Sequence, residues 1–540
     1  MKSERQIAEA IAAALRELGL ELSDDVIKVE KPARPEHGDF ASSVALGLSK
    51  RVGRNPRDLA SQIASTAAIS EIPHLASVEL AGPGFINFRL ENGYLHEALL
   101  EVIEDGEDKF ARSTLGADEK IQLEFVSANP TGPLHVGNAW YASFGDSLGR
   151  VLSRCGYDVS TEYYVNDTGG QIRTLGESLL ARRSGDAPPE GGYRGEYVVE
   201  LAKRYDGPED ITIAGRFAAK ENLENIRQSL EKLDIHFDEW YSQASIEESG
   251  AVAETIAILE GQGSTYEKDG ALWLDATRFG DTRDRVLKKS NGDFTYLAGD
   301  IAYHRNKFLV RGFQRVIDIF GADHHGQVAS LKAAVAALGI DPDRLEILLG
   351  QMVSLVEGDR KVKFSKRAGD VVAMDWLVDQ VGAPVVRLLS LSSSIDRASS
   401  IDVEEARKTS MDNPVYYIQY AHARIASIER VRQERGIVLV DVDQVPVDLL
   451  QHPRELELIR TLVRLPEVVE AAAKERAPQK VVTWLREFAS DFHGFYHDCP
   501  VLAESTPPDL VQARLLLVSG AQIGVRVALG LIGVAAPEQM

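Results

Sequence analysis

The residues with the clearest chemical potential lie in a short loop, SANPTGPLHVGN, at positions 127–138. The loop carries His135 and Asn138 and runs directly into a stretch with helical periodicity. A turn rich in glycine and proline at the N-terminus of a helix exposes unpaired backbone N–H groups, which bind anions together with the helix dipole. The loop therefore predicts a phosphate or nucleotide site, although a tight turn with a solvated histidine has the same pattern.

The glycines of this loop do not make it a P-loop. Gly132 and Gly137 have the spacing of a Walker A motif. That motif requires a lysine and then a serine or threonine after the second glycine, and Asn138 and Ala139 stand at those positions instead. What remains is His135, Asn138 and a glycine that lets a base or a ribose approach the backbone.

A second candidate is the basic segment DRKVKFSKRAGD at positions 359–370. It follows a predicted strand in a chain whose formal net charge is −22 at pH 7. Such a run is usually a solvated surface, but a basic loop can also close on phosphates and stabilise the charge of a departing pyrophosphate. The cations of interest in it are Lys361, Lys363, Lys366 and Arg367.

The elements that must position these loops alternate between strand and helix. The strand KIQLEFVS precedes the first loop, the helix AWYASFGDSLGRVLSRCG follows it, and the strand YDVSTEYYVND comes next. This order predicts a βαβ unit with a parallel sheet. The apolar runs RVIDIFG and EILLGQMVSLV predict further buried strands. The region between the two halves of this sheet, about 172–265, is predicted to be a helical insertion.

Three domains are predicted from the changes in pattern along the chain: an α+β unit over 1–112, the α/β unit over 118–400 and a helical bundle over 405–540. The most apolar stretch, residues 515–536, carries Gln522 and Arg526 near its middle. An arginine at the centre of a membrane span costs about 2.5–3.5 kcal/mol. A buried bundle helix is therefore favoured over a membrane span.

Charge and cysteine content narrow the function classes further. The acidic net charge means that any nucleic-acid partner must be bound by local basic patches. Cys155 and Cys499 are the only cysteines, which excludes a disulfide framework and a four-cysteine zinc site. The first residues, MKSERQIAEAIAAALRELGLEL, predict an amphipathic helix and not a signal peptide. A cytoplasmic protein is expected.

The two loops together resemble known motifs. HVGN and KFSKR resemble the His-x-Gly-His and Lys-Met-Ser-Lys-Ser motifs of class I aminoacyl-tRNA synthetases, with Asn138 where the family usually has its second histidine. Within that class, the words around them resemble arginyl-tRNA synthetase, and they are spread over almost the whole chain. These words are EFVSANPTGPLHVGN, EYYVNDTGGQI, NGDFTYLAGDIAYH, GADHHGQ, NPVYYIQYAHAR, FYHDCPVL and the C-terminal Met540.

The resemblance implies a multidomain α/β protein with a Rossmann-type parallel-sheet catalytic core. It implies an N-terminal α+β domain that contacts the corner of tRNA and a C-terminal helical bundle that binds the anticodon. The implied activity is ATP-dependent activation of arginine and its transfer to the terminal adenosine of its tRNA, with Mg²⁺ accompanying the ATP. No editing domain and no zinc are implied, and we expect a monomer with no membrane partner.

The resemblance also assigns residues to the site. Those implied for ATP are Pro130, Gly132, His135, Gly137, Asn138, Lys363, Ser365 and Lys366, of which His135, Asn138, Lys363 and Lys366 are expected to be catalytic. Those implied for arginine are Glu124, Ser127, Asn129, Tyr296 and Asp300. A guanidinium needs carboxylate or amide partners, and Tyr296 and Asp300 are four apart, on one face of a helix. Surface or core-paired acids would also account for Glu124 and Asp300.

Three further groups of residues indicate a function less specifically. A set that follows a predicted strand and precedes a helix is placed at the edge of the ATP or arginine site, with no role assigned: Asp323, His324, His325 and Gln327. A set at helical spacing is predicted to stack on anticodon bases of tRNA, although core packing is an equal alternative: Tyr416, Tyr417 and Tyr420. His493 and His497 lack further ligands at zinc spacing, so we interpret them as structural.

Two other functions share these features. A related class I nucleotidyltransferase, or a synthetase for another amino acid, would keep both loops but would not need paired acids for a guanidinium. A tRNA-binding relative without catalysis is suggested only by Asn138.

Overall fold

The structure, a computed structural model, describes residues 2–20, 27–32, 34–357, 360–362, 373–408, 410 and 413–536. Its strands are β1 (Val29–Glu30), β2 (Phe40–Ser42), β3 (Leu75–Ala81), β4 (Phe85–Leu90), β5 (Lys120–Glu124), β6 (Asp158–Val165), β7 (Glu239–Ser242), β8 (Thr265–Lys268), β9 (Ala271–Leu274), β10 (Arg285–Lys288), β11 (Arg315–Gly321), β12 (Leu345–Gly350), β13 (Val353–Glu357), β14 (Arg360–Val362) and β15 (Ser399–Asp402).

The α-helices are α1 (Lys2–Glu17), α2 (Val44–Val52), α3 (Pro56–Ala64), α4 (Ala67–Ser70), α5 (Gly93–Lys109), α6 (Val136–Arg154), α7 (Gly169–Arg183), α8 (Glu196–Arg204), α9 (Ile211–Glu231), α10 (Gln243–Glu248), α11 (Ala251–Gly261), α12 (Tyr296–Arg305), α13 (His325–Ala337), α14 (Met374–Val381), α15 (Ala383–Ser390), α16 (Val403–Ala406), α17 (Pro414–Glu434), α18 (Pro453–Leu462), α19 (Leu465–Lys474), α20 (Gln479–Asp498) and α21 (Pro508–Leu531). A π-helical turn, Asn306–Val310, follows α12 directly.

The N-terminal unit is an antiparallel sheet with helices packed on it. Its strands lie in the order β1-β2-β4-β3. The apolar face of α1 is buried as its spacing predicts, with Ile7, Ile11 and Leu15 at most 1% exposed. Such burial stabilises the fold by about 1.5–3 kcal/mol for each large aliphatic side chain.

A parallel sheet forms the centre of the molecule. Its described strands lie in the order β12-β11-β5-β6-β7, and every neighbouring pair is parallel. Helix α6 connects β5 to β6, and α13 connects β11 to β12. The strand order reverses between β5 and β11, and open α/β sheets bind ligands in the crevice outside such a reversal. The expected multidomain α/β fold with a Rossmann-type core is confirmed.

The predicted helical insertion over 172–265 is wrong in one respect. Helices α7 to α9 do lie there, but Glu239–Ser242 is β7, the edge strand of the parallel sheet. This strand has only four residues, EWYS, and none of them is buried. A strand so short and so open carries no apolar alternation that a sequence pattern can detect.

The apolar run EILLGQMVSLV is divided between two sheets. Its first half is β12 of the parallel sheet, and its second half is β13, which pairs with β14 and β15. A fourth sheet, which is antiparallel, has the order β10-β9-β8 and comes just before α12 in the chain.

The C-terminal third is helical from α16 onward, as predicted. Among the described helices, α21 is long and apolar enough to cross a membrane by length and composition, yet 67% of its most apolar window is buried in the protein. Leu517, Ala521 and Val525 are at most 1% exposed, and Arg526 forms an ion pair with Glu107 of α5 at 3.0 Å. The interpretation of this stretch as a core helix is confirmed.

Arg387 of α15 ties the bundle to α6. Its buried guanidinium contacts Asp146 of α6 and donates to the carbonyl of Ile532 at 2.9 Å and to that of Leu233 at 2.7 Å. Gly533 has a φ of 63° and has no room for a β-carbon beside this guanidinium. The helix that begins at the HVGN loop is therefore fixed against the end of the C-terminal helix.

Candidate active site

The loop after β5 leaves the sheet through two strained residues. Val126 and Ser127 have φ angles of 69° and 37°, in the left-handed region that is costly for side chains with a β-carbon. The Ser127 hydroxyl donates to Glu124 Oε1 at 2.9 Å and accepts from the backbone N–H of Tyr164 at 3.1 Å. These bonds hold the turn at the carboxyl edge of β5, where the sequence predicted the site.

The insertion helices support the middle of the loop. The Tyr197 hydroxyl of α8 donates to the carbonyl of Thr131 at 2.7 Å, and Asn222 of α9 donates to the carbonyl of Pro130 at 3.1 Å. A β-carbon on Gly132 would lie 3.0 Å from Tyr197. Contacts with the insertion helices therefore fix the positions of Pro130 and Gly132.

His135 and Asn138 meet at the first turn of α6. His135 is the N-cap residue, and its backbone N–H donates to Asn138 Oδ1 at 3.0 Å. A β-carbon on Gly137 would lie 3.0 Å from the His135 ring. Oδ1 of Asn138 accepts the hydrogen bond of the cap, so the side chain can meet a ligand only with its donor group, Nδ2.

The basic segment is connected to this loop at one end. Ala373 forms an isolated antiparallel β-bridge with His135, and the Met374 N–H donates to the carbonyl of Leu134 at 2.9 Å. The chain therefore leaves the basic segment beside the HVGN loop. The predicted residues Lys363, Ser365 and Lys366 lie outside the described residues.

A cavity of about 1120 Å³ lies at the carboxyl edge of the sheet, between α12, α10 and the start of α13. Tyr296 and Asp300, one turn apart on α12, both line it, as does Gln327. Tyr296 is 74% exposed, so its ring is available to a ligand. The structure thus brings together two of the predicted arginine-binding residues and one of the edge residues.

Asp300 is the most informative of these residues. None of the described cations or hydrogen-bond donors lies within bonding distance of its carboxylate. Burial raises the pKa of Asp300 to about 6, His304 opposes that rise, and Glu124 adds to it. A carboxylate in a cavity wall without a cation is the receptor that a guanidinium ligand needs.

Glu124 is paired inside the protein. Its Oε2 accepts from Lys307 Nζ at 2.7 Å and lies 2.9 Å from the Tyr303 hydroxyl, while Oε1 accepts from Ser127. In this structure Glu124 is therefore a core-paired acid, which is the alternative that the sequence left open. Asn129 Nδ2 donates to Gln171 Oε1 at 2.9 Å, and neither Glu124, Ser127 nor Asn129 lines the cavity.

Sequence reasoning missed Tyr303, His304 and Lys307, which follow Asp300 on the same face of the helix. A signal was present, because these residues stand three, four and seven positions after Asp300, the spacing of one helical face. The word DIAYHRNK carries this pattern. A lysine and a histidine on the buried face of a helix predict acidic partners beneath them.

The edge residues lie where β11 ends and α13 begins. His324 Nδ1 is 3.2 Å from Gln327 Oε1, and Asp323, His324 and His325 are exposed. The predicted position at the carboxyl edge is therefore found, but only Gln327 of this group lines the cavity.

The predicted tRNA-contacting tyrosines form a partly exposed stack on α17. The rings of Tyr416 and Tyr420 are parallel within 12°, with centroids 5.8 Å apart. Arg424 lies 4.4 Å from the Tyr420 ring centroid and 4.7 Å from that of Tyr496. Tyr417 packs edge-on against His493 at 4.6 Å. The stack combines aromatic faces with a cation, as surfaces that bind unpaired bases do.

The C-terminal histidines have ordinary structural partners. His493 Nε2 faces the carbonyl of Tyr417 at 3.3 Å, and His497 pairs with Asp498 at 2.7 Å. Within the described part of the chain, no group of three or more His, Cys, Asp or Glu side chains is placed to hold a metal ion.

Family models match the chain along almost its whole length. The arginyl tRNA synthetase N terminal domain matches residues 5–90, the tRNA synthetases class I (R) catalytic domain matches 102–425, and the DALR anticodon binding domain matches 418–540. The chain belongs to the arginyl-tRNA synthetase family. The resemblance inferred from the two loops is thereby confirmed.

Named relatives and solved structures agree with this family. The chain is 44% identical to an Arginine--tRNA ligase of Moorella thermoacetica, over 100% of this chain and 99% of the relative. It is 41% identical to an Arginine--tRNA ligase of Carboxydothermus hydrogenoformans, over 99% of both. The fold matches an arginyl-tRNA synthetase structure from Thermus thermophilus with a TM-score of 0.78 and 22% identity, over 99% of this chain and 100% of that one.

This synthetase is accordingly an aminoacyl-tRNA ligase for arginine, and as a class I synthetase it uses ATP. The sequence-based prediction of enzyme class and amino acid is confirmed.

Proposed function

We propose that this synthetase binds arginine with its guanidinium against Asp300 and Tyr296, and ATP at the N-terminus of α6. The observation that supports the arginine position is the Asp300 carboxylate, which faces a cavity and has no described cation partner. The ATP position is supported by His135 and Gly137 at the first turn of α6, where backbone N–H groups and the helix dipole favour phosphate. Glu124, Ser127 and Asn129 are proposed to help orient the charged ends of arginine, although they do not line the cavity itself.

In the proposed reaction, the carboxylate of arginine attacks the α-phosphate of ATP, which gives arginyl-adenylate and pyrophosphate. A ribose hydroxyl of the terminal adenosine of tRNA then attacks the arginyl carbonyl, and AMP leaves. His135 and the Nδ2 group of Asn138 donate to the ATP phosphates or ribose, and Lys363, Ser365 and Lys366 stabilise the departing pyrophosphate. The protein contributes positioning and charge stabilisation and forms no covalent bond to the substrates.

Mg²⁺ is proposed to arrive bound to ATP. The described residues hold no group of three metal-ligating side chains, whereas the phosphate oxygens of ATP are the ligands that Mg²⁺ prefers. The ion would supply neutralisation of phosphate charge. We assign it no protein ligand.

The pH dependence of arginine use tests this proposal. Asp300 holds a guanidinium only as a carboxylate, and its pKa is raised by burial to about 6. We therefore expect the KM for arginine to be flat above about pH 7 and to rise about tenfold per pH unit below pH 6. Bound arginine favours the carboxylate, so kcat at saturating arginine should fall less. The measurement is steady-state charging of tRNA at fixed saturating ATP and Mg²⁺ between pH 5 and 9.

The control for this profile is Asp300→Asn, which removes the titrating group. The variant should show a high KM that no longer depends on pH in this range. A wild-type KM for arginine that stays constant down to pH 5, in protein that remains folded by circular dichroism, would contradict the proposal.

We propose that tRNA is held at both ends of the chain. The N-terminal unit, residues 1–112, would contact the corner of tRNA, and the bundle, residues 405–540, would bind the anticodon. The stack of Tyr416 and Tyr420 with Arg424 supports the second contact, because it offers ring faces and a cation at a partly exposed surface. We further propose that the protein acts as a monomer in the cytoplasm.

A further inference from the structure

Three carboxylates lie side by side on the parallel sheet beneath the cavity. The strand register pairs Glu124 of β5 with Asp318 of β11 and with Glu162 of β6. Residues in register on parallel strands point to the same face of a sheet. All three are buried, with exposed fractions of 5% for Glu124 and 0% for the other two. Such a row of like charges is unstable without cations directly against it.

The face of α12 that carries Asp300 also carries His304, and the π-helical turn after it adds Lys307. The Lys307 ammonium, 0% exposed, lies 2.7 Å from Glu124 Oε2 and 2.8 Å from Asp318 Oδ1. Arg311, just beyond the turn, pairs with Glu162. Each of the three strand carboxylates is therefore in contact with Lys307 or Arg311.

The hydrogen bonds show which strand carboxylate depends most on Lys307 for a cationic partner. The Tyr303 hydroxyl has one proton but lies against both Glu124 and Glu162, so it cannot donate to both. His304 places Nδ1 2.7 Å from the Asp300 carbonyl and Nε2 2.9 Å from Asp318. Both its nitrogens therefore face oxygen atoms of other groups. Of the described groups, Lys307 is the cation in contact with Glu124.

We propose that Lys307 is a positioning residue for arginine: from beneath the cavity it keeps Glu124, Asp318 and Asp300 in the charged form that a guanidinium requires. It does not line the cavity, so it acts through the carboxylates. Because cations of the protein balance the charges of the strand carboxylates, Asp300 remains as the carboxylate that pairs with the guanidinium of bound arginine. This inference rests on the proposed arginine site.

The pKa shifts of the three carboxylates show the influence of Lys307: burial raises the pKa of Glu124, and Lys307 opposes that rise. Burial opposes ionisation of Asp318, but Lys307 and His304 outweigh it and hold its pKa at about 2. Burial raises the pKa of Asp300 to about 6, and Lys307 is one of the cations that limits the rise. The charged and titratable groups around Asp300 are Glu124, Glu162 and Asp318 from the strands, Tyr303, His304, Lys307 and Arg311 from the helix and its turn, and Tyr164, Asp167, Glu247, Arg285, Lys289, Asp293 and Tyr296 around the cavity.

The test is the pH profile of the KM for arginine in Lys307→Met. Without the ammonium, the carboxylates hold protons to higher pH, so the midpoint of the profile should move up by about one pH unit or more. For a shift of one unit, the KM for arginine should then be about tenfold above wild type at pH 5 and about twofold above it at pH 7, and should match wild type by pH 9. The KM for ATP should stay within about twofold. A role in folding alone would raise the KM equally at every pH, and that result would overturn the proposal.

Two matched variants complete the experiment. Lys307→Arg keeps a cation at the same place and should leave the midpoint within about 0.3 units of wild type. Arg305→Met removes a cation two residues away whose partner is Glu254, at 2.8 Å, and it should leave the midpoint unchanged. A midpoint shift of similar size in Arg305→Met would overturn the proposal, because it would show a general effect of charge.

If Lys307→Met does not fold, Lys307→Gln removes the charge and keeps a hydrogen-bond donor toward Glu124 and Asp318. Its midpoint should lie above that of wild type, and an unshifted midpoint in this folded variant overturns the proposal. The proposed arginine site is judged separately by Asp300→Asn. If that variant leaves the KM for arginine unchanged, the site itself is wrong. If it raises the KM while Lys307→Met leaves the midpoint unshifted, only the role of Lys307 fails.

Discussion

Asp300→Asn is expected to raise the KM for arginine about 10²–10³-fold while the KM for ATP changes by less than about threefold. The substitution keeps the shape of the side chain and removes its charge. A guanidinium bound in the cavity then loses its carboxylate partner, which costs about 3–4 kcal/mol. In the proposed arrangement, ATP binds at the N-terminus of α6 and does not contact this group. Steady-state charging with each substrate varied in turn measures both constants.

Asp293→Asn is the matched control for this experiment. Asp293 lines the same cavity, but it is exposed and its Oδ2 accepts from Asn291 at 2.8 Å. Its substitution should change the KM for arginine by less than about threefold. Equal increases in the KM for arginine and the KM for ATP in Asp300→Asn would show that Asp300 supports the fold of the site and does not bind arginine.

Lys366→Ala is expected to lower kcat for arginine activation by about 10²–10³, the effect of removing one group that stabilises charge in a transition state. The lysine belongs to the KFSKR motif, whose chain continues to Ala373 beside His135. Affinity for tRNA should stay near wild type. Single-turnover formation of arginyl-adenylate in the presence of tRNA measures the rate, and a filter-binding assay measures tRNA affinity.

The neighbouring Arg367→Ala removes the same charge from the same segment and serves as the control. It should lower kcat by less than about tenfold. If Lys366→Ala instead weakened tRNA binding and left the activation rate unchanged, the segment would be a nucleic-acid contact and its proposed role in catalysis would be wrong.

The sequence alone predicts the sheet and the HVGN loop because both depend on local patterns. Apolar runs of strand length mark β5, β6, β11 and β12, and the Gly- and Pro-rich turn before α6 has a short-range physical cause. Tyr296 and Asp300 are likewise linked by helical spacing. These features can be predicted without knowing which strands are neighbours in the sheet.

What the sequence could not give depends on contacts between distant segments. The row of Glu124, Asp318 and Glu162 exists only because β11, β5 and β6 lie side by side in one register. No local pattern links any of these acids to Lys307.

The most direct test of the account is charging of tRNA by the purified wild-type protein with each of the twenty amino acids, in the presence of ATP and Mg²⁺. The account predicts that arginine is charged and the other nineteen are not, since the proposed site holds a planar guanidinium against the Asp300 carboxylate and Tyr296 in the cavity wall. Charging of another amino acid at a comparable rate, or no charging of arginine, would contradict it.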